Sequence, residues 1–381
     1  MTINVFIVDD SATARTAMRL ILEDSEDINV LGVASTPVLA LKRMQKNWPD
    51  VVVSDLEMPD MSGLEFLAYL QKNRPTPFIV FSNYTGSNAM SSVEALAKGA
   101  VDIIPKPNFS CEDSLQQVTD QMLNSIRAAA NIDIEKNVPV IKSSANVNNK
   151  TGWEERLSQK IIHRPKSTLP GKSLHPVLGV EDTEALSARD KFSLLALGSS
   201  TGGTTIIEHI LRQLTVQSPP VLVVQHMPEH FTLAFAKRIN QFCAIDVREA
   251  QDGDVLHAGL ALIAPGGKHM AVHRNSSGKA FVTVFDGEPV NSHKPSVDVL
   301  FQSVAAVEKK DALGVILTGM GKDGAKGLLA IREAGGLTIS QAGDDCAVNG
   351  MPKAALAINA VDFELSSEDI AKHLARISSR S

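Results

Sequence analysis

A short pattern of small residues, Gly198-x-Ser200-x-Gly202, has the composition of a turn that carries a nucleophile. The apolar run 194–197 before it predicts a buried strand, and the apolar residues after it recur at helical spacing. On a strand–turn–helix of this kind, the serine sits on a tight bend with its hydroxyl exposed. The first N–H groups of the helix point to the same place and suit an oxyanion. The pattern also fits a phosphate-binding loop or a plain tight turn.

Two residues that could activate a serine follow other apolar strands of the same half. His226 comes directly after residues 221–224, and Asp323 lies shortly after residues 313–317. Because ligands bind at the carboxyl ends of parallel strands, Ser200, His226 and Asp323 could meet at one sheet edge. A hydroxyl nucleophile needs a base to take its proton, and a carboxylate fixes the tautomer of an imidazole base. The three residues are therefore a candidate Ser–His–Asp triad.

Alternatives exist for the members of this candidate triad. Ser199 is a rival nucleophile, although it lies out of register with the glycines. Asp323 also suits the cap of the helix that follows it, or a cation site shared with Asp344 and Asp345. His226 competes with six other histidines, but it alone directly follows a long apolar strand.

The N-terminal part of the chain places polar residues at the ends of five apolar strands. Strand and helix patterns alternate there, which predicts a parallel sheet with helices on both faces. The strand-end residues are Asp9, Asp10, Asp55, Ser82 and Lys106. The three carboxylates would converge into an acidic pocket whose hard oxygen ligands suit Mg²⁺. Lys106 and Ser82 could bind anionic oxygens on the far side of the metal, as phosphoryl transfer to a carboxylate requires.

Residues 1–125 resemble a two-component receiver domain. The resemblance rests on the strand-end residues above together with Met58-Pro59, Ser62-Gly63 and Pro107. It implies that Asp55 accepts the phosphoryl group and that Asp9, Asp10, Asp55 and the backbone of Glu57 hold Mg²⁺. It also implies that Ser82 is the switch hydroxyl and Lys106 the cation that senses phosphate. Ile103 departs from the family pattern, because many receivers carry an aromatic residue there.

Residues 191 to about 375 resemble the catalytic domain of the chemotaxis receptor methylesterases. The matching stretches are residues 198–203, 225–228, 264–270, 317–325 and 349–352. The resemblance implies that Ser200 is the nucleophile, His226 the general base and acid, and Asp323 the orienting carboxylate. It implies that the backbone N–H groups of Thr201 and Met320 stabilise the oxyanion, and that the esterase needs no cofactor. Members of this family hydrolyse glutamate γ-methyl esters on chemoreceptors, release methanol, and often deamidate receptor glutamines.

The expected fold class is therefore α/β with three parts. A flavodoxin-like receiver with a five-stranded parallel sheet occupies residues 1–125, and a doubly wound α/β serine-esterase domain occupies residues 191–381. Residues 126–190 show low apolar content without a sustained period, which is typical of a flexible linker. The fused architecture predicts a hydrolase that is regulated by phosphorylation. The alternative is a non-enzymatic phospho-switch that docks a partner through a decayed hydrolase fold.

Composition narrows the remaining function classes. A net charge of −6 and the lack of a basic helix-turn-helix pattern argue against nucleic acid and against a transcription regulator. No apolar run approaches the roughly 20 residues of a membrane span, and the N-terminus does not resemble a signal peptide. The three scattered cysteines suit a reducing compartment. We expect a cytoplasmic monomer whose partners are chemoreceptors, as substrate, and a histidine kinase of the chemotaxis type, as phosphodonor.

Overall fold

A computed structural model describes residues 2–83, 86–107, 112–132 and 191–379. Nearly all of the predicted linker, residues 133–190, lies outside the described residues. The predicted domain limits remain predictions; helix α5, defined below, continues past residue 125 to Ala130.

The N-terminal domain alternates strands with helices along the chain. Its strands are β1 (Ile3–Val8), β2 (Ile28–Ala34), β3 (Val51–Ser54), β4 (Phe78–Ser82) and β5 (Asp102–Pro105). Its helices are α1 (Ala12–Glu23), α2 (Pro37–Met44), α3 (Gly63–Asn73), α4 (Gly86–Ala97) and α5 (Glu112–Ala130). The start of α2 follows from local sequence, because the Thr36 hydroxyl accepts from the backbone N–H of Leu39 and Pro37 opens the helix.

The strands of this domain form one parallel sheet in the order β2-β1-β3-β4-β5. The chain order reverses beside β1, so a crevice opens between the carboxyl ends of β1 and β3. Asp9 and Asp55 directly follow these two strands. Apolar side chains fill both faces of the sheet, which fixes the strand ends relative to one another.

The C-terminal domain is built on a larger sheet with a separate hairpin. Its strands are β6 (Leu194–Ser199), β7 (Val221–Gln225), β8 (Asp246–Glu249), β9 (Leu260–Ile263), β10 (His269–Arg274), β11 (Ala280–Phe285), β12 (Ala312–Ile316), β13 (Leu337–Gln341) and β14 (Phe363–Leu365). Its helices are α6 (Gly203–Leu211), α7 (Phe231–Asn240), α8 (Val297–Glu308), α9 (Ala325–Glu333), α10 (Met351–Ala357) and α11 (Ser367–Ser378).

Seven strands of this domain form a parallel sheet in the order β14-β13-β12-β6-β7-β9-β8, and β10 pairs with β11 as an antiparallel hairpin. The chain passes from β6 to β7 on one side and returns to β12 on the other. The crevice of this sheet therefore opens beyond β6, between the loops that follow β7 and β12. The predicted fold class is confirmed.

The two domains pack against each other through helices. Helix α4 of the first domain contacts α6 and α7 of the second. Apolar residues of both domains form one cluster, in which Ala89 and Leu96 lie with Phe231 and Phe235. The first domain is thus held close to the crevice beyond β6.

The first glycine of the G-x-S-x-G pattern is required for packing and not for a turn. Gly198 lies within β6, whereas Gly202 has the positive φ, 80°, that favours glycine. A Cβ atom at position 198 would lie 2.2 Å from Cγ1 of Val297 and 3.2 Å from the ring of Phe301. The absence of a side chain lets α8 approach the central strand closely.

Gly198→Ala is expected to lower the free energy of unfolding by about 1–3 kcal/mol or more, because the new methyl group overlaps α8. Urea unfolding of the full chain measures this loss. Gly287→Ala is the control, since a Cβ there would meet its nearest atom, in the ring of His269, at an ordinary 3.4 Å. Equal stability of the two variants would contradict the close approach of α8 to β6.

Candidate active site and phosphoacceptor site

Ser200 occupies the turn between β6 and α6, in the crevice of the larger sheet. Its backbone N–H donates to the carbonyl of Thr318 at 3.0 Å, which ties the turn to the loop after β12. Its neighbour Ser199 is fully buried, and the Ser199 hydroxyl donates to Oε1 of Gln225 at 2.5 Å. Ser200 keeps 8% of its surface exposed. The position of the two side chains therefore favours Ser200 over Ser199 as the reactive hydroxyl.

His226 and Asp323 meet as the sequence predicted. The backbone N–H of His226, just beyond β7, donates to the carbonyl of Ser199 at 3.0 Å. Nε2 of His226 lies 2.9 Å from Oδ2 of Asp323, which is fully buried. Only 7% of the His226 side chain is exposed. The two groups therefore form a desolvated acid–base pair.

Five donors surround the carboxylate of Asp323. Oδ2 accepts from Nε2 of His226 and, at 2.7 Å, from the backbone N–H of Val297. Oδ1 accepts from the Ser296 hydroxyl and the Asn291 amide, both at 2.8 Å, and from the N–H of Asp298 at 3.3 Å. Burial acts to raise the pKa of Asp323, but the hydrogen bond and charge of His226, with Asn291 and Ser296, outweigh it and hold that pKa well below its ordinary value. Asp323 is thus an ionised acceptor.

Ser200 and His226 line one small cleft. Nδ1 of His226 is buried and has no hydrogen-bond partner among the described residues. Among the described residues, no hydrogen bond connects the Ser200 hydroxyl to His226. Such contacts are often long before substrate binds, so the geometry is compatible with proton transfer from Ser200 to His226.

The predicted oxyanion donors lie in the loops around Ser200. The backbone N–H groups of Thr201 and Met320 have no acceptor among the described residues. A Cβ on Gly319 would lie 2.7 Å from Cβ of Ser200, so the backbone just before Met320 passes close to Ser200. Two free donors beside the serine suit the negative oxygen of a tetrahedral intermediate.

Sequence reasoning did not single out His293, which lies against the His226–Asp323 pair. Its ring stacks on that of His226, with centroids 3.8 Å apart and planes 10° from parallel. Burial, and then the nearby charge of His226, lower the pKa of His293 to about 4. The segment 290–296 precedes a helix and follows no predicted strand, so no pattern in the sequence marked it.

The first domain brings two carboxylates and a lysine together at its own crevice. Nζ of Lys106 lies 2.5 Å from Oδ2 of Asp55 and 2.8 Å from Oδ2 of Asp9. Burial raises the pKa of Asp9. Burial also acts to lower the pKa of Lys106, but its bonds to Asp55 and Asp9 outweigh this and raise it. The lysine is therefore a fixed cation in contact with the predicted phosphoacceptor.

The other predicted residues of this crevice surround the same point. Carboxylate oxygens of Asp9, Asp10 and Asp55 lie within 4.8 Å of one another, a spacing that could hold one metal ion. The backbone N–H of Glu57 donates to Oδ1 of Asp55 at 3.3 Å. Ser82 ends β4, is almost fully buried, and its carbonyl accepts from the N–H of Lys106 at 2.9 Å.

Comparison with known proteins assigns each half of the chain to a protein family. Residues 195–374 match the CheB methylesterase family and residues 5–119 match the response regulator receiver domain. The chain is 43% identical over 369 residues to "Protein-glutamate methylesterase/protein-glutamine glutaminase 2" of Hahella chejuensis, covering 97% of this chain and 94% of the relative. The chain belongs to this family. The predicted resemblance is confirmed, and so is the order of receiver and esterase.

Two further proteins illustrate the same similarity. A protein-glutamate methylesterase/protein-glutamine glutaminase of Chromobacterium violaceum is 43% identical over 382 residues, with 99% of each chain covered. The crystal structure of the Thermotoga maritima CheB methylesterase catalytic domain is 34% identical, has a TM-score of 0.47, and covers 49% of this chain and 98% of that one.

The receiver forms one wall of the esterase cleft. Leu96, Val101, Asp102 and Ile103 line it together with Ser200 and His226. The Thr201 hydroxyl lies 3.3 Å from Oδ2 of Asp102, which also accepts from the Ser125 hydroxyl at 2.7 Å. Burial raises the pKa of Asp102. A half-buried acidic group of the receiver thus contacts the residue next to Ser200.

Acidification is expected to destabilise the protein through His293. Its pKa falls from 6.5 to about 4 on folding, so the unfolded chain binds the proton more readily between these values. The contribution of His293 to the free energy of unfolding is fully present above about pH 6.5. It is lost as the pH falls, and the loss reaches about 2 kcal/mol by about pH 5. His293→Phe, which cannot take a proton, should therefore lose less stability than the parent chain between about pH 7.5 and pH 5. Urea unfolding at each pH measures this loss. If both proteins lose the same free energy of unfolding between these pH values, the lowered pKa of His293 is contradicted.

Proposed function

We propose that this protein is a protein-glutamate methylesterase and protein-glutamine deamidase that acts in chemosensory signalling under the control of its receiver domain. The observation that carries the proposal is the buried His226–Asp323 pair, which lines one cleft together with Ser200. Methylated glutamates and glutamines of chemoreceptors are the proposed substrates.

The proposed reaction uses Ser200 as the nucleophile and His226 as the base. As the Ser200 hydroxyl attacks the γ-carbonyl carbon, Nδ1 of His226 takes its proton, and Asp323 stabilises the imidazolium that results. The N–H groups of Thr201 and Met320 bind the negative oxygen of the tetrahedral intermediate. His226 then returns the proton to the departing methoxide, which leaves as methanol. Water attacks the acyl-enzyme by the same route and releases the glutamate side chain.

One site serves both proposed activities, because the two substrates differ only in the leaving group. An ester yields methanol from the tetrahedral intermediate, and a primary amide yields ammonia. His226 must protonate the amide nitrogen before it departs, so deamidation depends more strongly on the proton held at Nδ1. No step of this route calls for a cofactor in the esterase.

The receiver is proposed to accept a phosphoryl group at Asp55 from a histidine kinase. Asp9, Asp10, Asp55 and the carbonyl of Glu57 would hold Mg²⁺, whose charge would neutralise the phosphate oxygens. The hard oxygen donors of the three carboxylates, clustered within 4.8 Å, fit this ion. Lys106 already contacts Asp55 and would pair with the phosphoryl group, while the Ser82 hydroxyl would bind a further oxygen.

Strand β5 supplies a short physical path between the two sites. Lys106 directly follows the strand and contacts Asp55, while Asp102 and Ile103 begin the strand and line the esterase cleft. Four residues of extended chain span only about 13 Å. A change in the position of Lys106 would therefore act on the residues that cover Ser200. We propose that the unphosphorylated receiver inhibits the esterase by occupying the mouth of its cleft.

The alternative of a non-enzymatic phospho-switch is not favoured. A fully buried aspartate with five donors beside an almost buried histidine is costly to maintain, and an active site that has lost its activity gains nothing from it. Relatives that match nearly the whole chain carry enzymatic names.

No described helix is long and apolar enough to cross a membrane. A cytoplasmic monomer that inserts in no membrane and binds no nucleic acid remains the proposed state.

Ser200→Ala is expected to reduce methanol release from a methylated receptor fragment by several powers of ten, since the nucleophile is lost. His226→Ala should be almost as damaging and the double variant little worse, because members of one catalytic unit are not additive. A serine-directed covalent inhibitor should label Ser200, which mass spectrometry of the peptides will locate. Ser277→Ala, in the exposed β10–β11 turn, is the matched control. Labelling at Ser199 would overturn the assignment.

Removal of residues 1–150 is expected to raise the basal rate of methanol release, because the receiver no longer covers the cleft. A small phosphodonor with Mg²⁺ should raise the rate of the full chain, and neither the truncated chain nor Asp55→Ala should respond. Asp102→Ala should give an intermediate basal rate by loosening the contact with Thr201. If the truncated chain were no faster than the unphosphorylated full chain, the receiver would not inhibit, and phosphorylation would have to act by localising the enzyme to its receptors.

A further inference from the structure

The ring of His293 lies flat on the proposed catalytic base. The two imidazoles are 3.8 Å apart and 10° from parallel, in contact over their faces. One face of His226 is thereby covered by an aromatic ring, which limits rotation of the His226 side chain. No part of the proposed proton transfer assigns a role to His293.

A tight turn holds His293 at this place. Val290 and His293 exchange backbone hydrogen bonds at 3.1 and 3.0 Å across a two-residue loop. Both loop residues, Asn291 and Ser292, have positive φ angles, of 51° and 67°. Asparagine adopts this conformation readily, whereas serine does so at a cost, so the surrounding contacts must stabilise the turn. The ring of His293 is fixed in turn, because its Nδ1–H donates to the carbonyl of Asn291 at 2.7 Å.

The same turn also supports the carboxylate partner of His226. The Asn291 amide donates to Asp323 and to Asp298, both at 2.8 Å. One turn therefore contacts the imidazole through His293 and the carboxylate through Asn291. The relative position of the two catalytic groups is set by a single short segment.

The hydrogen bonds of Asp323 determine which nitrogen of His226 carries the proton. An ionised carboxylate can only accept, so Nε2 of His226 must be the donor in their 2.9 Å contact. Neutral His226 then has a lone pair on Nδ1, the buried atom without a partner among the described residues. The atom available to take the proton of Ser200 is therefore Nδ1.

A metal site is the competing explanation for this cluster. Ligand atoms of His226, His293 and Asp323 lie within 4.8 Å of one another. The lone pairs of two stacked rings, however, lie in parallel planes about as far apart as the rings themselves. One ion cannot take both nitrogens at the roughly 2.0–2.1 Å of a metal–imidazole bond. The stacked geometry favours a role in orientation.

We propose that His293 is a positioning residue that holds His226 in one ring orientation, with the Nε2–H on Asp323 and the lone pair of Nδ1 directed to the nucleophile. Rotation of the His226 ring would move Nε2 away from the carboxylate and Nδ1 away from Ser200. The stacked ring blocks this rotation. It also remains in contact when His226 becomes an imidazolium, whose charge is attracted to an aromatic face. The proposal depends on His226 being the base of the proposed esterase.

The ring nitrogens of His226 provide a test that does not require activity. In the full chain with ¹⁵N-labelled histidine at about pH 8, long-range ¹H–¹⁵N spectra should show His226 with Nε2 protonated and Nδ1 unprotonated. His226→Gln assigns the signals. In His293→Ala the two nitrogen shifts should move toward each other, because tautomers and orientations then exchange. His293→Phe, which keeps an aromatic face, should retain the separated shifts, as should the control His257→Ala at an exposed histidine.

Kinetics of the phosphodonor-activated full chain provide the second test. His293→Ala is expected to lower kcat for methanol release about 10- to 100-fold, as misplacement of a catalytic group does. The KM should stay within about twofold, since substrate binding is not altered. His293→Phe, in contrast, should keep most of the kcat of the parent chain. If His293→Ala fails to fold, His293→Leu, which fills the space without a ring, replaces it in both measurements.

Three results would overturn the proposal. One is a parent spectrum with the proton of His226 on Nδ1. Another is a His293→Ala protein with the parent's spectrum and kcat. The last is a His293→Phe protein as impaired as His293→Ala. Failure of the esterase assignment has a different signature, because Ser200→Ala and His226→Ala would then keep the parent rate whatever the spectra of His226 show.

Discussion

The carboxylate of Asp323 is the group on which the esterase half of the molecule depends. A fully buried charge is stable only if donors replace the water it has lost, and Asp323 has five. Three donors come from the start of α8, one from the turn at Asn291, and one is the imidazole of His226. The need to satisfy this charge brings four separate segments together. Their convergence fixes His226, and through it the chemistry of the cleft.

Much of this arrangement could be predicted from the sequence, because it follows from strands and their ends. The alternation of apolar runs with helical spacing identified both parallel sheets, and the side chains after β1, β3, β6 and β7 lie where the strand ends predicted. Short or polar strands were missed. β8 (Asp246–Glu249) and β14 (Phe363–Leu365) lie at the two edges of the larger sheet and carry no long apolar run. Helix α7 begins at Phe231, after a positive φ at His230, although Pro228 is a residue that suits the first turn of a helix.

Contacts made by loops could not be predicted, since they depend on how segments distant in sequence pack. Asn291 and His293 look like ordinary residues of a polar loop until the turn places one on Asp323 and the other on His226. The contact between Asp102 and Thr201 joins two domains across 99 positions of sequence. Asp102 lies at the start of a strand, the end at which ligands of parallel sheets are not expected. Its bond to Ser125 lies within the first domain, but its contact with Thr201 exists only because the second domain packs there.

The position of Asp102 has a consequence for how the two domains separate. A carboxyl group that is buried against Thr201 has a raised pKa, whereas the same group exposed to water ionises near its ordinary value. Opening of the domains would therefore hydrate this acidic group, and the charge it then carried would disfavour its return to the contact with Thr201. Leu96 and Val101, on the same wall of the cleft, act in the opposite direction, because their exposure to water is unfavourable. The closed state is thus held by apolar burial and by the hydrogen bond between Asp102 and Thr201. A small movement of β5 can shift this balance, because Asp102 ionises once it is hydrated.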